Sequence, residues 1–440
     1  MTVLRRRGRF RPRPLAAPAL AAAIASAMLV ATPGDAQVGP IDPAPPAPTA
    51  PPAVVSTEPL PSALTLSRAL DEAATRSPTI IAAQAAVRAA EARVRQAGYR
   101  ANPELSVEVE NFAGTGDLSG IRGVETTISV SQRLDISGRR GARVSVAQAE
   151  LIVQRLRLAV AYADLAQGVR EQFARAATAR DRLRLAEENL TRARELARVA
   201  GILVNEGRDP PLRALRARTA AAQAEAELET ARAEESAARG TLAALFGVST
   251  PPASVVGSLL DVAPRTIDPE QSLEVRIADA ERVIAEAGLR QEQVGARLDP
   301  SVGLGVRHVR EIGDTALVAA VTMPLPVFDR NRGNIDAARA NIAAAEARRA
   351  AVSASARVRA RNAITSLEAA QARVAALETA AIPEAAEALR LTQLSYQAGR
   401  SSLLELLDAQ NAYSAAQAAL IDARLAQALA TAELGRVSAQ

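Results

Sequence analysis

From Arg143 to Asn205 the chain runs 63 residues without a proline. Apolar residues recur along this run at Val144, Ala147, Leu151, Leu158, Leu165, Val169, Phe173, Ala176, Leu183, Ala186 and Leu190, mostly in steps of three or four. That spacing predicts a helix with a coiled-coil-like seam. At 1.5 Å per residue it extends about 95 Å. No ordinary domain can wrap a helix that long, so it must lie beside neighbours of equal length.

The chain supplies them by duplication. Gly207-Arg208 ends the long run, and Gly399-Arg400 repeats the pair at an offset of 192 residues. The same offset brings Leu212 onto Leu404, Leu215 onto Leu407 and Gly141 onto Gly333. Each copy reads as helix, two strand-like runs, very long helix, sharp turn and returning helix. Repeat 1 spans 62–247, with a β-hairpin over about 103–134 and a long helical hairpin over about 141–246. A linker covers 248–268. Repeat 2 spans 269–440, with a hairpin over about 300–328 and a helical hairpin over about 333–437. Pro78 predicts a break near Ser77, and Pro383 a kink in the second long helix. Asp209 is read as the cap of the helix returning from the first turn.

The strand-like runs alternate. In Glu104–Phe112, Leu105, Val107 and Val109 oppose Glu104, Ser106, Glu108 and Glu110. In Ser301–Arg310, Val302, Leu304 and Val306 oppose Ser301, Gly303, Gly305 and Arg307. Val124–Leu134 and Thr315–Phe328 complete the two hairpins. A period of two gives each strand one apolar and one wet face. Ten tilted residues suit the wall of an outer-membrane barrel. Four strands cannot close one, because about eight are needed. If two chains share a wall it has eight strands, and if three share it, twelve. The acidic face bearing Glu104, Glu108 and Glu110 then lines the pore.

Composition supplies an address and several exclusions. Six arginines precede residue 15, an apolar small-residue run covers 15–31, and Gly34-Asp35-Ala36 follows. This is the plan of a secretory signal peptide, 1–36. A proline-rich leader covers 37–61. The whole chain carries a net charge of +5, but taking six arginines and one acid from 53 and 48 leaves 47 of each. A neutral exported chain lacks the basic footprint of nucleic-acid binding. With no cysteine there is no thiolate metal site, catalytic thiol or disulfide. His308, the single histidine, stands without ligand spacing and reads as a strand-face residue near the outer loop. No nucleophile–base pair or phosphate loop is present, so neither an enzyme nor a cofactor is expected.

The duplicated plan, the signal peptide and the stretch YQAGRSSLLELLDAQ (Tyr396–Gln410) resemble the TolC-type outer-membrane efflux proteins. SQRLDISGRRG (131–141) and PLPVFDRNRGNI (324–335) look most like their CzcC-like heavy-metal branch. The resemblance covers roughly residues 64–437. It implies a mainly α fold with a β-barrel part. Three chains would form a 12-stranded transmembrane β-barrel continuous with a periplasmic α-helical barrel. It also implies docking onto a periplasmic adaptor and an inner-membrane pump of the resistance-nodulation-division type. The duct conducts passively what the pump drives. Drugs or secreted protein are the alternative cargo, and a soluble periplasmic coiled-coil scaffold is the alternative from another class.

By motif match the resemblance places a gate ring on Glu405 and Asp408, with Tyr396 bracing the closed tip. The 192-residue offset sets Arg213 and Arg216 opposite those acids, so salt bridges between the two tips are expected to hold the entrance shut. Gly207, Arg208, Gly399, Arg400, Ser401 and Leu403 form the two turns and are expected to dock the adaptor. Ser137–Arg140 and Asp329–Arg332 are read as junctions between strand and helix at the inner rim of the membrane, not as a metal site.

Overall fold

The computed structural model describes residues 58–118, 120–257 and 267–439. The expected signal peptide, most of the leader and most of the second half of the linker lie outside them. Eight helices and six strands follow in order among the described residues. Strand β1 is Ala63–Leu64, followed by α1 (Leu66–Arg76), α2 (Pro78–Ala97), β2 (Glu104–Glu110) and β3 (Glu125–Arg133). Then come α3 (Arg139–Asn205), α4 (Pro211–Ala244), β4 (Ser254–Val255), α5 (Leu273–Gly295), β5 (Ser301–Val309) and β6 (Asp314–Thr322). The second repeat closes with α6 (Arg332–Ala376), α7 (Ile382–Gln397) and α8 (Leu403–Val437).

The long helices obey the proline punctuation. Helix α3 runs 67 residues, about 100 Å at 1.5 Å per residue. Its second-repeat counterpart is interrupted. A π-helical turn at Leu377–Ala381 separates α6 from α7. Pro383 follows at once and has no N–H for the Thr379 carbonyl, so the ladder must widen there. Likewise α1 stops at Arg76, Ser77 adopts an extended ψ of 123°, and Pro78 opens α2.

One apolar core gathers around Val169 and Phe173 of α3, with Leu64, Ala69, Leu242, Phe246 and Val255. Strands β1 and β4 pair in parallel beside it, Leu64 opposite Val255. Leu60 also belongs to this core, so packed structure begins before the expected end of the leader. Arg180 and Arg239 hold the β4 segment by donating to the Val255 and Pro252 carbonyls at 2.8 and 2.9 Å.

The two hairpins form one antiparallel sheet in the order β2-β3-β5-β6. Strand β6 ends at Thr322, not at the expected Phe328. Pro324 and Pro326 lie in the segment that follows, and a proline cannot donate to a ladder. In register, Leu105, Val130, Leu304 and Ala319 form one apolar rung, and Val107, Ile128, Val306 and Leu317 the next. This face is open: Leu105, Leu304 and Leu317 are 69%, 65% and 71% exposed. On the opposite face Thr127 is only 5% exposed. A Cβ added at Gly305 there would sit 2.6 Å from Ser129 Cβ. The sheet therefore curls toward its wet face, and the glycine of β5 makes that curl possible.

Candidate functional site

The two turns at the far end of the helices are built alike, bond for bond. Gly207 N–H donates to the Val204 carbonyl at 3.0 Å and Arg208 N–H to Leu203 at 2.9 Å. Gly399 N–H donates to Tyr396 at 2.9 Å and Arg400 N–H to Ser395 at 2.9 Å. Every partner is shifted by the same 192 residues. Each turn is a Schellman cap, whose residue after the helix must be left-handed. Gly207 and Gly399 both have φ of 72°.

Four helices meet beneath these turns. Leu196 and Ala200 of α3, Ala217 of α4, Leu389 and Tyr396 of α7, and Leu403 and Leu406 of α8 share one buried cluster. Tyr396 reaches across the repeats, with its hydroxyl 3.5 Å from Asp209 Oδ2. The other oxygen of Asp209 accepts from Arg213. The Asp209 side chain is buried, so these two donors satisfy it where water cannot. Burial raises the Tyr396 phenol above its ordinary value, and the neighbouring Asp209 carboxylate adds to the effect. The phenol is thus neutral and able to donate.

These contacts revise several expectations. Asp209 is not a helix cap: α4 begins at Pro211 with Pro210 before it and no side-chain cap. Arg213 pairs with Asp209 and not with Glu405. Glu405 Oε2 instead accepts from Ser402 N–H at 2.9 Å, while Ser402 Oγ accepts from Glu405 N–H at 3.3 Å. This reciprocal capping box starts α8. Asp408 and Arg216 are exposed, and among the described residues neither forms an ion pair within the chain. Among the described residues, none of the expected salt bridges joins the two tips within one chain. Gly207, Arg208, Gly399 and Arg400 are exposed, and Ser401 donates to the Thr392 carbonyl at 3.3 Å. Leu403 is 2% exposed and packs under the tip, whereas Leu404 beside it is 63% exposed. Leu212 and Leu215 of the first tip are also exposed. A cleft of about 840 Å³ runs up from there between α3, α4 and α8, lined by Leu212, Leu215, Arg216, Asn189, Gln410 and Asn411.

At the other end, the junctions between strand and helix are clamped. Asn331 sits at φ 58° and donates to the Glu292 carbonyl at 2.9 Å. Arg139, its counterpart in the first repeat, donates to the carbonyls of Gly295 and Arg297 and pairs with buried Asp299 at 3.0 Å. Both residues secure the C-terminal end of α5. Among the described residues, no three His, Cys, Asp or Glu side chains gather to hold a metal ion.

A curved sheet with an open apolar face, carried on helices of this length and ended by paired tips, is a narrow specification. Residues 69–248 and 270–439 match the outer membrane efflux protein family. The chain belongs to that family. Its place is the outer membrane, with the helices in the periplasm.

Among its relatives is the nickel-cobalt-cadmium resistance protein NccC of Alcaligenes xylosoxydans xylosoxydans, 32% identical over 285 residues, or 63% of this chain and 64% of the relative. The match thus spans slightly under two thirds of that protein. The nickel and cobalt resistance protein CnrC of Cupriavidus metallidurans is 33% identical over 296 residues, 66% of this chain and 69% of the relative. The cobalt-zinc-cadmium resistance protein CzcC of the same species is 29% identical over 355 residues, 79% and 83% of the two chains. These agree with the heavy-metal branch that residues 131–141 and 324–335 resemble. In fold, the crystal structure of CusC matches with a TM-score of 0.74 at 17% identity, over 85% of this chain and 92% of that one.

For an outer-membrane efflux protein the two faces of the sheet acquire meaning. The exposed apolar face suits lipid and the curled wet face suits water. His308 falls on the apolar face, its Nδ1 3.4 Å from Thr315 Oγ1. The soluble scaffold reading gives no reason for such a face. Sequence reasoning missed Asp209 as the partner of Tyr396, because Asp209-Pro210-Pro211 carries the signature of a cap. It also missed Leu404, which the repeat had already aligned with Leu212.

Proposed function

We propose that this chain is the outer-membrane duct of a tripartite efflux system that exports heavy-metal cations. Three copies close a twelve-stranded barrel, and their helices continue it as a tunnel through the periplasm. A periplasmic adaptor and an inner-membrane pump of the resistance-nodulation-division type complete the path. The observation that carries this reading is the four-stranded sheet. Among the described residues the edges β2 and β6 are unpaired, and in lipid an unpaired edge cannot persist. Sibling chains are the partners that remove it. The cargo rests on the metal-resistance relatives.

The tips form the gate and the docking surface. Asp408 and Glu405 share one exposed side of α8, where three chains would set six carboxylates around the narrowing. Such a ring attracts cations. Tyr396 and Asp209 hold the two hairpins of each chain together. Gly207, Arg208, Gly399, Arg400 and Ser401 present the turns to the adaptor, and Leu212, Leu215 and Leu404 add the apolar contacts.

Deleting the gene in its host and titrating growth against nickel, cobalt, zinc and cadmium tests the proposal. Metal tolerance should fall and be restored by the intact gene. Unchanged metal tolerance with new sensitivity to hydrophobic drugs would transfer the duct to the other cargo.

A further inference from the structure

The wet face of the sheet holds a charged constellation far from the tips. Arg307 of β5 donates from Nε to Thr127 Oγ1 at 2.9 Å and from Nη1 to Glu125 Oε2 at 3.0 Å. Its Nη2 lies 3.1 Å from Glu110 Oε2. Glu110 is on β2, which does not adjoin β5. The guanidinium therefore reaches across the whole width of β3 and ties the second hairpin to both strands of the first.

The register places this cluster at the outer end. Glu108, Thr127, Arg307 and Ala316 form one rung, and Glu110, Glu125, Val309 and Asp314 the rung nearest the hairpin tips. Toward the helices the wet face narrows to small side chains, such as Ser106, Ser129, Gly305 and Val318 on the next rung. Four carboxylates and one guanidinium thus share the last two rungs. Among the described strands, the other arginine on this face is Arg133, at the opposite rim.

We infer that Arg307 sets the charge selectivity at the exit of the duct. It cancels one of the four carboxylate charges and holds two of the carboxylates against the wall. The exit stays anionic enough to draw cations outward, and weakly enough so that they leave. Conduction needs both. The planar fork matters, since one guanidinium engages three partners on two strands. This inference rests on the duct reading above and adds a second, fixed filter to the gate at the tips.

The chain has no cysteine, so a single one at Ser129 can report the potential one rung below Arg307. The measurement is the ratio of its reaction rates with a cationic and an anionic thiosulfonate, on the full-length protein in detergent. Arg307→Gln should raise that ratio about threefold or more, as a unit charge removed at short range through water does. Adding Glu110→Gln and Glu125→Gln to Arg307→Gln should return it to the parent value or below. An unchanged ratio in Arg307→Gln overturns the inference. If that variant does not assemble, Glu110→Gln with Glu125→Gln beside intact Arg307 decides: the ratio must fall, and a constant ratio overturns the inference equally. A Ser129→Cys that reacts with neither reagent refutes the water-filled lumen itself, a failure distinct from that of Arg307.

Discussion

The hydroxyl of Tyr396 stands 3.5 Å from a carboxylate oxygen of Asp209, 187 residues earlier in the chain. That contact is a direct polar link between the tips of the two helical hairpins in one chain. At this length the hydrogen bond is weak, but its acceptor is buried and its second partner is Arg213. Tyr396→Phe keeps the ring in its cluster and removes only the donor. Single-channel conductance in planar bilayers should rise, with a stability loss of about 1 kcal/mol or less. Asp209→Ala, which strips both donors of their acceptor, should open the tip further. Conductance unchanged in both variants would show that the link plays no part in closure.

The same link responds to alkali. The Tyr396 phenol is raised above its ordinary value of 10.0. Its contribution is therefore complete below that value and is lost as pH rises through the shifted one, because the phenolate repels Asp209. Conductance should step upward in strongly alkaline buffer in the parent, and the step should vanish in Tyr396→Phe.

Glu405 serves the helix as well as the proposed gate, and substitutions can separate the roles. Glu405→Gln retains an acceptor for Ser402 N–H, so thermal stability should hold. Paired with Asp408→Asn it removes the ring charge, and single-channel conductance should increase while cation preference falls. Ser402→Ala should do the reverse, costing about 1 kcal/mol through the lost cap with selectivity intact. Reversal potentials and melting curves read the two effects independently.

Gly399 tests the proposed docking surface. Its φ of 72° is strained for any side chain, although nothing lies within 4 Å of the added Cβ. Gly399→Val should cost about 1–3 kcal/mol locally, and cross-linking to the adaptor should be lost while trimers persist. Full cross-linking would reduce the glycine to a helix cap.

Near the middle of the helices, Glu270 is held below its ordinary 4.5, first by the hydroxyl of Ser353 and then by Arg357. A depressed carboxyl stabilises above its unfolded value and loses that contribution as pH falls through the folded one. The melting temperature of the parent should drop as the pH falls below 4.5, and less so in Glu270→Gln.

Much of this protein was legible in order of residues alone. The 3.6-residue and two-residue periods, the glycine at each turn and the positions of Pro78 and Pro383 located the helices, strands and breaks. Those are local effects of backbone sterics and side-chain direction. The repeat of 192 residues put a Gly-Arg turn in each copy, and the two are built alike because a Schellman cap depends only on the residues that form it. Which charges meet was decided by geometry that the repeat offset does not carry. Arg213 has Asp209 within one helical turn and takes it in preference to Glu405, which its own helix start has already claimed. The direction of the sheet's curl, the reach of Arg307 across β3 and the burial of Leu403 beside exposed Leu404 are likewise products of packing. A charge or a leucine has the same letter in either setting, and only its neighbours in space determine what it does.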